Sequence, residues 1–568
     1  MHHVTDQAHG DPPHGSASRW WLLVPATIAG ACLAGALVPA STWIDFFSHD
    51  LRVQRNGGEI IQETIEGVRL WRLMLVGLAG GIIMVTWWLA SLGRTRQVVE
   101  LEPVPQPRWP WIPWILMLLG AMVRIQRINE SLWYDEISSL IDFSIFGPGA
   151  SMGSYFTQSN HVLNSVLVWM TTSLTGSYDE WVIRLPALIA GILSIKVIYE
   201  FTRLARGEDA AIFAGLLACF APVMILESVE ARGYSLVIFF TAASCWAFLS
   251  ARRSRDWRTW LLYAMCLSLG TWAHMVAACV GIAQGLYAMV RVLDARDRAW
   301  ALQAMMSIAL AGIASVTLYA PLLPDLLSIR ETFTASQSVQ PTLIGMEGLM
   351  TLLQVGGSWT VMASIIPILV VIAGCVAGSG DRTARMGILV SGLCLPVAIV
   401  LIVLGDTWVY ARFLLMVMPA VSLCFGIGIQ AIAGTSRTLA YTCLLLACGG
   451  WVYVSLTLPP KQPLYDSIAY VLEEDPATGR IATIGLLDNV FGFYVPDSMQ
   501  VVETGLHGSE LQAALENAPA SWVIVTYPDS VVEGGYEVLE QMGFVHATTL
   551  HGWVDWGNGN IMIYRLDR

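Results

Sequence analysis

The feature that most constrains this chain is a series of apolar blocks about 17–23 residues long, the length a helix needs to cross ~30 Å of hydrocarbon. They fall at roughly 20–40, 70–92, 109–123, 182–201, 210–227, 235–251, 259–273, 275–291, 300–321, 360–378, 386–404, 413–433 and 438–457. Only segments that satisfy their own backbone hydrogen bonds can span a bilayer, so such blocks predict helices. Composition agrees. The 568 residues are 55% hydrophobic and 13% charged, whereas soluble domains carry about a quarter charged residues. The expected fold is an α-helical polytopic membrane protein with about 13 transmembrane helices.

A net charge of −12 argues against a nucleic-acid binder. The ten cysteines lie mostly inside apolar blocks and show no CxxC spacing, so they read as small core residues rather than a zinc site or disulfide framework. The first 19 residues are polar, with His2, His3, His9 and His14 and no signal-peptide pattern. They read as a disordered cytoplasmic tail, with a metal-binding tail as the alternative.

Orientation comes from arginine placement. Arg94/Arg96/Arg108, Arg203/Arg206, Arg252/Arg253/Arg255/Arg258, Arg291/Arg296/Arg298 and Arg382/Arg385 fall on alternate connections. That predicts a multi-pass protein of the cell membrane, with a cytoplasmic N-terminus and an extracytoplasmic C-terminus. Segment 161–176 is apolar but short and carries His161 and Asn164, so it reads as a helix in the outer interface. Segment 41–69, with mixed charges, reads as an outer hairpin or surface helix, and 324–345 as a polar outer loop. From Pro459 onward the composition is that of a soluble domain. Helical spacing at 464–474, 508–517 and 531–541 alternates with strand patterns at 480–486, 498–503, 521–526, 543–550 and 560–565. This predicts a small extracytoplasmic α/β domain. The expected organisation is thus a tail (1–19), two leading helices with an outer amphipathic segment (20–108), a main transmembrane domain (109–458) and the α/β domain (459–568).

Charged and polar groups gather at the predicted outer ends of the spans. RIQRINESLWYDEISSLIDFS places Asp135 and Glu136 beyond Trp133 and Tyr134. A partly desolvated carboxylate there is suited to deprotonating a hydroxyl; the alternative is an acidic pair serving a helix N-terminus. LESVEARGYSLVIFF crowds Glu227, Glu230, Arg232 and Tyr234 at a boundary of two spans. Arg232 is suited to clamp a phosphate, or else to pair with Glu230. His274 and the Asp406, Tyr410 and Arg412 group of DTWVYARFLLMVMP stand at two further apices. Charge at such depth usually faces a cavity or a partner.

In order and spacing, LWYDE (132–136), SNHVLNSVL (159–167), RLPALIAGILSIKVIYEFTRLARG (184–207), AGLLACFAPVMILESVEARGYSL (214–236) and YARFLLMVMP (410–419) resemble the GT-C membrane glycosyltransferases. The resemblance is to the group containing protein O-mannosyltransferases and lipid A aminoarabinose transferase, and it covers roughly 109–420. It implies an inverting glycosyltransferase, moving a hexosyl or pentosyl group from a polyprenyl-monophosphate donor to a hydroxyl of a protein, lipid or glycan. It also implies that Asp135 is the base and that Glu136 shapes the same catalytic site. Asn160, His161, Glu230, Arg232, Tyr234, His274, Tyr410 and Arg412 would bind substrate, the arginines taking the leaving phosphate. No cofactor is then required, with a divalent metal on His161, His274 and a carboxylate as the alternative. Many members carry His-Pro-Pro where this chain has His161-Val162-Leu163, so the backbone there need not match. A lipid or sugar transporter, or a scaffold presenting the C-terminal domain, are the competing readings.

Overall fold

In the computed structural model, residues 22–92, 106–254, 256–295, 297–328, 365–405, 410–485, 488–504, 508–531, 534–554 and 557–567 are described. The chain is a polytopic helical membrane protein. Each of the thirteen apolar blocks contains a helix within its described residues. Among the described residues eight helices are long and apolar enough to cross a bilayer: Gln62–Ser91, Glu180–Arg206, Tyr234–Arg253, Met275–Val292, Arg298–Tyr319, Arg382–Leu404, Ala411–Thr435 and Arg437–Thr457. Two more blocks are bent pairs, Leu23–Leu37 with Ala40–Phe47 at 97° and Glu208–Phe220 with Pro222–Val229 at 63°. The remaining three are the shorter helices Ile112–Ile125, Trp257–Ala273 and Ile365–Ser379. Helix Val162–Thr175 has 14 residues and ends on Gly176 in the left-handed region (φ 66°). At 1.5 Å per residue it is about 21 Å long, short of a bilayer core.

The break before Pro222 shows how a span can bend inside an apolar bundle. Pro222 cannot continue the hydrogen-bond ladder. The exposed carbonyls are taken up by Arg124, fully buried, whose guanidinium donates to Ala218 O (2.9 Å), Cys219 O (3.1 Å) and Met224 O (3.0 Å). Helices pack elsewhere through small residues. A Cβ at Gly374 would collide with the Cys424 carbonyl, and one at Gly428 with that of Val370. Helices Ile365–Ser379 and Ala411–Thr435 therefore touch backbone to backbone, as glycine allows. Gly374→Val is expected to cost about 2 kcal/mol or more by overpacking, read as a lower melting temperature of the detergent-solubilised protein.

The 41–69 segment differs from its expectation. It contains two short helices, Ala40–Phe47 and Asp50–Arg55, but Gln62 already opens the long helix Gln62–Leu92, so Glu63 and Glu66 belong to a span's first turns. Charges at a helix start do not break it, so the helix begins before its apolar run does. Of the 324–345 loop, residues from 329 lie outside the described set, as does the N-terminal tail.

The C-terminal region forms a mixed five-stranded sheet of β1 (Arg480–Ile484), β2 (Gln500–Thr504), β3 (Trp522–Thr526), β4 (Phe544–Leu550) and β7 (Ile561–Leu566). The two-residue strands β5 (Trp553–Val554) and β6 (Gly557–Asn558) form a separate hairpin. The order is β2-β1-β3-β7-β4, with β1 parallel to β2 and β3, and β7 antiparallel to β3 and β4. Strand β3 is buried along its whole length, as strands covered on both faces are. Val523 and Val525 pack with Leu511, Leu515 and Leu539. Trp522 and Ile524 face the other way, in one cluster with Leu132, Ile137, Leu140 and Ile183 of the helical part. The sheet thus seats one face on the loop that carries the acidic pair. The strands at 480–486, 498–503, 521–526, 543–550 and 560–565 all form, to within a residue or two, whereas the β5–β6 hairpin has no readable signature. The helix expected at 531–541 spans Gly535–Gln541, after Gly534 at φ 88°.

Candidate active site

Trp133 is extended, and the helix Tyr134–Asp142 starts directly after it with Asp135 and Glu136 in the first turn. The two acids then part company. Glu136 is fully buried, and both its oxygens are occupied. Arg184 donates from Nε to Oε1 (2.9 Å) and from Nη2 to Oε2 (2.7 Å), Ala231 N donates to Oε1 (2.6 Å) and Trp133 N to Oε2 (3.2 Å). Arg184 also donates to the carbonyls of Ile128, Glu130 and Ser131 at 2.5–3.0 Å. The pair is a buried, bidentate ion pair that ties helix Glu180–Arg206 to the segment 128–133 and to the turn at Ala231. Of the two acids expected in the catalytic site, Glu136 thus has no oxygen left over for a substrate, and it bears on the site only by holding the start of the helix that carries Asp135.

Asp135 faces outward, with its side chain 20% exposed. Its Oδ2 accepts from Arg412 Nη2 (3.0 Å), and Arg232 Nη2 lies 3.5 Å away. Arg232 is itself fixed, donating from Nη1 to Ser139 Oγ (2.7 Å), Ser159 O (2.8 Å) and Asp135 O (3.2 Å). The Arg412 guanidinium is boxed by the rings of Tyr410, Trp133 and Tyr234, at 4.6, 5.1 and 5.6 Å from their centroids. One partly exposed carboxylate therefore sits against two buried guanidiniums that are 180 residues apart in sequence.

Behind them lie His161, Tyr234 and His274, with ring centroids 4.9–5.5 Å apart. His161 Nδ1 accepts from Gly233 N (2.8 Å), which assigns its ring proton to Nε2. Burial, with the nearby arginines, pushes the His161 imidazole well below its usual range and that of His274 down to about 3, so both rings are neutral at pH 7. Asn160 points away, donating to Ser151 O and Ser154 O (both 2.9 Å) and accepting from Ser165 Oγ (3.0 Å). It holds the loop. Glu230 and Arg232 do not form the pair weighed for them; Glu230 Oε2 accepts from Lys461 Nζ (2.8 Å). Asp406 lies outside the described residues. Among the described residues no three His, Cys, Asp or Glu side chains converge as metal ligands.

Residues 162–323 match the family model described as dolichyl-phosphate-mannose-protein mannosyltransferase. The chain resembles the GT-C membrane glycosyltransferases. Solved structures of that kind align with it. The Archaeoglobus fulgidus oligosaccharyltransferase gives a TM-score of 0.45 at 13% identity, over 77% of this chain and 72% of that one. The Cupriavidus metallidurans ArnT bound to undecaprenyl phosphate gives 0.34 at 14%, over 80% and 98%. The S. cerevisiae protein O-mannosyltransferase Pmt1-Pmt2 complex bound to the sugar donor gives 0.29 at 17%, over 44% and 36%. A search of curated proteins by sequence returns no match.

The GT-C motifs carried Asp135, Arg232 and Arg412 to one place, but several neighbours escaped sequence reasoning. Lys461 Nζ lies 4.2 Å over the Trp133 ring and 5.4 Å from that of Trp553. It is one of only two lysines in the chain, a rarity that was the available signal. Gln462 Oε1 accepts from Tyr134 N (3.0 Å), and Tyr494 Oη accepts from Leu132 N (2.8 Å). Tyr527, just past β3, is the one non-glycine residue with positive φ (54°) among the described residues, and its ring lies 6.2 Å from that of Tyr134. Local strain of this kind gathers at functional sites.

Proposed function

We propose that the chain is an inverting glycosyltransferase that moves a hexosyl or pentosyl group from a polyprenyl monophosphate to a hydroxyl acceptor at the extracytoplasmic face of the cell membrane. The observation that carries this reading is Asp135, partly exposed between Arg232 and Arg412. Asp135 takes the acceptor proton as the acceptor oxygen attacks the anomeric carbon. The bond from that carbon to the phosphate oxygen breaks, and the lipid phosphate leaves with the electron pair. Two guanidiniums stand where charge develops on the phosphate, and fixed positive groups in a dry site are an effective means of stabilising it. The positive charge comes from side chains, so no step is assigned to a metal or cofactor. Glu136 acts at one remove: with Arg184 it fixes the helix start that aims Asp135. The neutral His161 and His274 and the Tyr234 ring form the wall behind the arginines.

The test is comparative mass spectrometry of glycolipids and glycoproteins from a deletion strain and its complemented counterpart. Loss of one hexose- or pentose-sized mass on a defined acceptor supports transfer. Unchanged masses with a donor lipid redistributed between leaflets would favour the transporter reading instead. Arg412→Lys gives a finer check. An ammonium can neither fork nor stack as a guanidinium does, so transfer is expected to fall about 10–100-fold with a raised KM for the donor lipid, measured in proteoliposomes.

A further inference from the structure

Asp142 closes the same helix that Asp135 opens. The two are seven residues apart, so with Ser138 they form one stripe on one face, the carboxylates about 10 Å apart along the axis. Asp142 is 9% exposed and sits at a helix C-terminal end, where the dipole disfavours negative charge. Buried carboxylates are ordinarily paired with a cation, yet among the described residues Asp142 forms no ion pair; the nearest guanidinium influence is that of the exposed Arg55. Burial accordingly pushes its carboxyl above the usual range. What surrounds it is hydroxyl. Ser138 Oγ donates to Oδ2 (2.8 Å) and lies 3.0 Å from Ser159 Oγ, which in turn lies 2.8 Å from Thr157 Oγ1. Thr157 thus reaches the carboxyl through Ser159 and Ser138.

The cluster is continuous with the site at Asp135. His49, from the leading segment outside the GT-C-like region, hydrogen-bonds the Asp142 carbonyl (2.6 Å). Arg232, which faces Asp135, donates to Ser139 Oγ and Ser159 O. The hydroxyl protons run in one chain, Thr157 to Ser159 to Ser138 to Asp142, so the cluster meets a ligand as acceptors, and a carboxylate with no cation beside it is suited to accept from neutral polyhydroxylated groups.

We propose that Asp142, Ser138, Thr157 and Ser159 form a second subsite that binds a sugar unit of the acceptor, and that the acceptor is therefore a carbohydrate-bearing molecule, a glycan or glycolipid. This rests on the transferase reading above. The carboxylate accepts from ring hydroxyls of that sugar while a neighbouring hydroxyl is presented to Asp135. It deepens the role of the leading segment too, since His49 sets the position of this carboxylate's backbone.

The full-length protein is tested with donor lipid and unmodified acceptor from membranes of the deletion strain, the glycan-bearing and protein fractions being titrated separately. Wild type is expected to label the glycan-bearing fraction. Asp142→Asn is expected to raise the apparent KM for that fraction about tenfold or more, the scale of a lost hydrogen bond to a charged group. The donor KM and the melting temperature should stay at their wild-type values, which separates binding from a merely structural role. Should Asp142→Asn not fold, Thr157→Val keeps the carboxylate and is expected to raise the same KM at least threefold. Unchanged acceptor KM in both variants, or label arriving on the protein fraction, overturns the inference while leaving the transferase reading intact. No labelling by wild type overturns that reading, and this inference with it.

Discussion

Asp135→Asn is expected to reduce sugar transfer by roughly a thousandfold, the middle of the range for removal of a positioned general base. The asparagine carbonyl can still accept from Arg412, whose guanidinium now lies 3.0 Å from the carboxylate, so the local geometry should persist. What the amide cannot do is take a proton. Donor lipid should consequently still bind, and the melting temperature should fall by less than on Arg184→Ala, because the Asp135 side chain is partly solvated and the amide oxygen still accepts from Arg412. Rates from reconstituted protein, alongside donor binding and thermal melting, read the two effects apart. Transfer at the wild-type rate would remove Asp135 from the role of base.

Arg184→Ala should act on the other acid, and on the fold rather than the rate alone. It strands the fully buried Glu136 without its counter-charge and leaves the carbonyls of Ile128, Glu130 and Ser131 without their donor. Breaking one side of a buried pair costs about 3–5 kcal/mol, a large share of the stability of an ordinary domain. The expected result is little or no folded protein in membranes, seen by quantitative blotting and by melting of what is recovered. Arg184→Lys should restore only part of this, because one ammonium cannot bridge both carboxylate oxygens and three carbonyls. Normal accumulation of the alanine variant would contradict the positioning role given to Glu136.

These two acids also mark how far the residues can be read without coordinates. Bilayer thickness imposes a length on every spanning helix, so the apolar blocks were legible one by one. The five main strands were legible for a similar reason, as short β-branched runs between turn residues. Which charges pair is another matter. Glu136 and Arg184 are 48 residues apart, and Glu230 and Lys461 are 231 apart; no local pattern encodes such distances. The Glu230–Arg232 pairing suggested by proximity in sequence fails because Arg232 is turned toward Ser139, Ser159 and Asp135. Strands β5 and β6, two residues each, are too short to show any period.

The chain leaving the last span at Thr457 does not depart as a free tether. Arg127 donates to the carbonyls of Leu458 (2.9 Å) and Pro459 (3.3 Å), Lys461 reaches into the helical bundle to Glu230, and Gln462 bonds Tyr134 beside the acidic pair. Trp553 N in turn holds the Lys461 carbonyl at 2.9 Å. A chimera in which the sheet is exchanged for that of another protein should therefore be joined after Gln462, not where the helix leaves the bilayer. A splice at the earlier point would carry off two residues that belong, by their bonds, to the helical half.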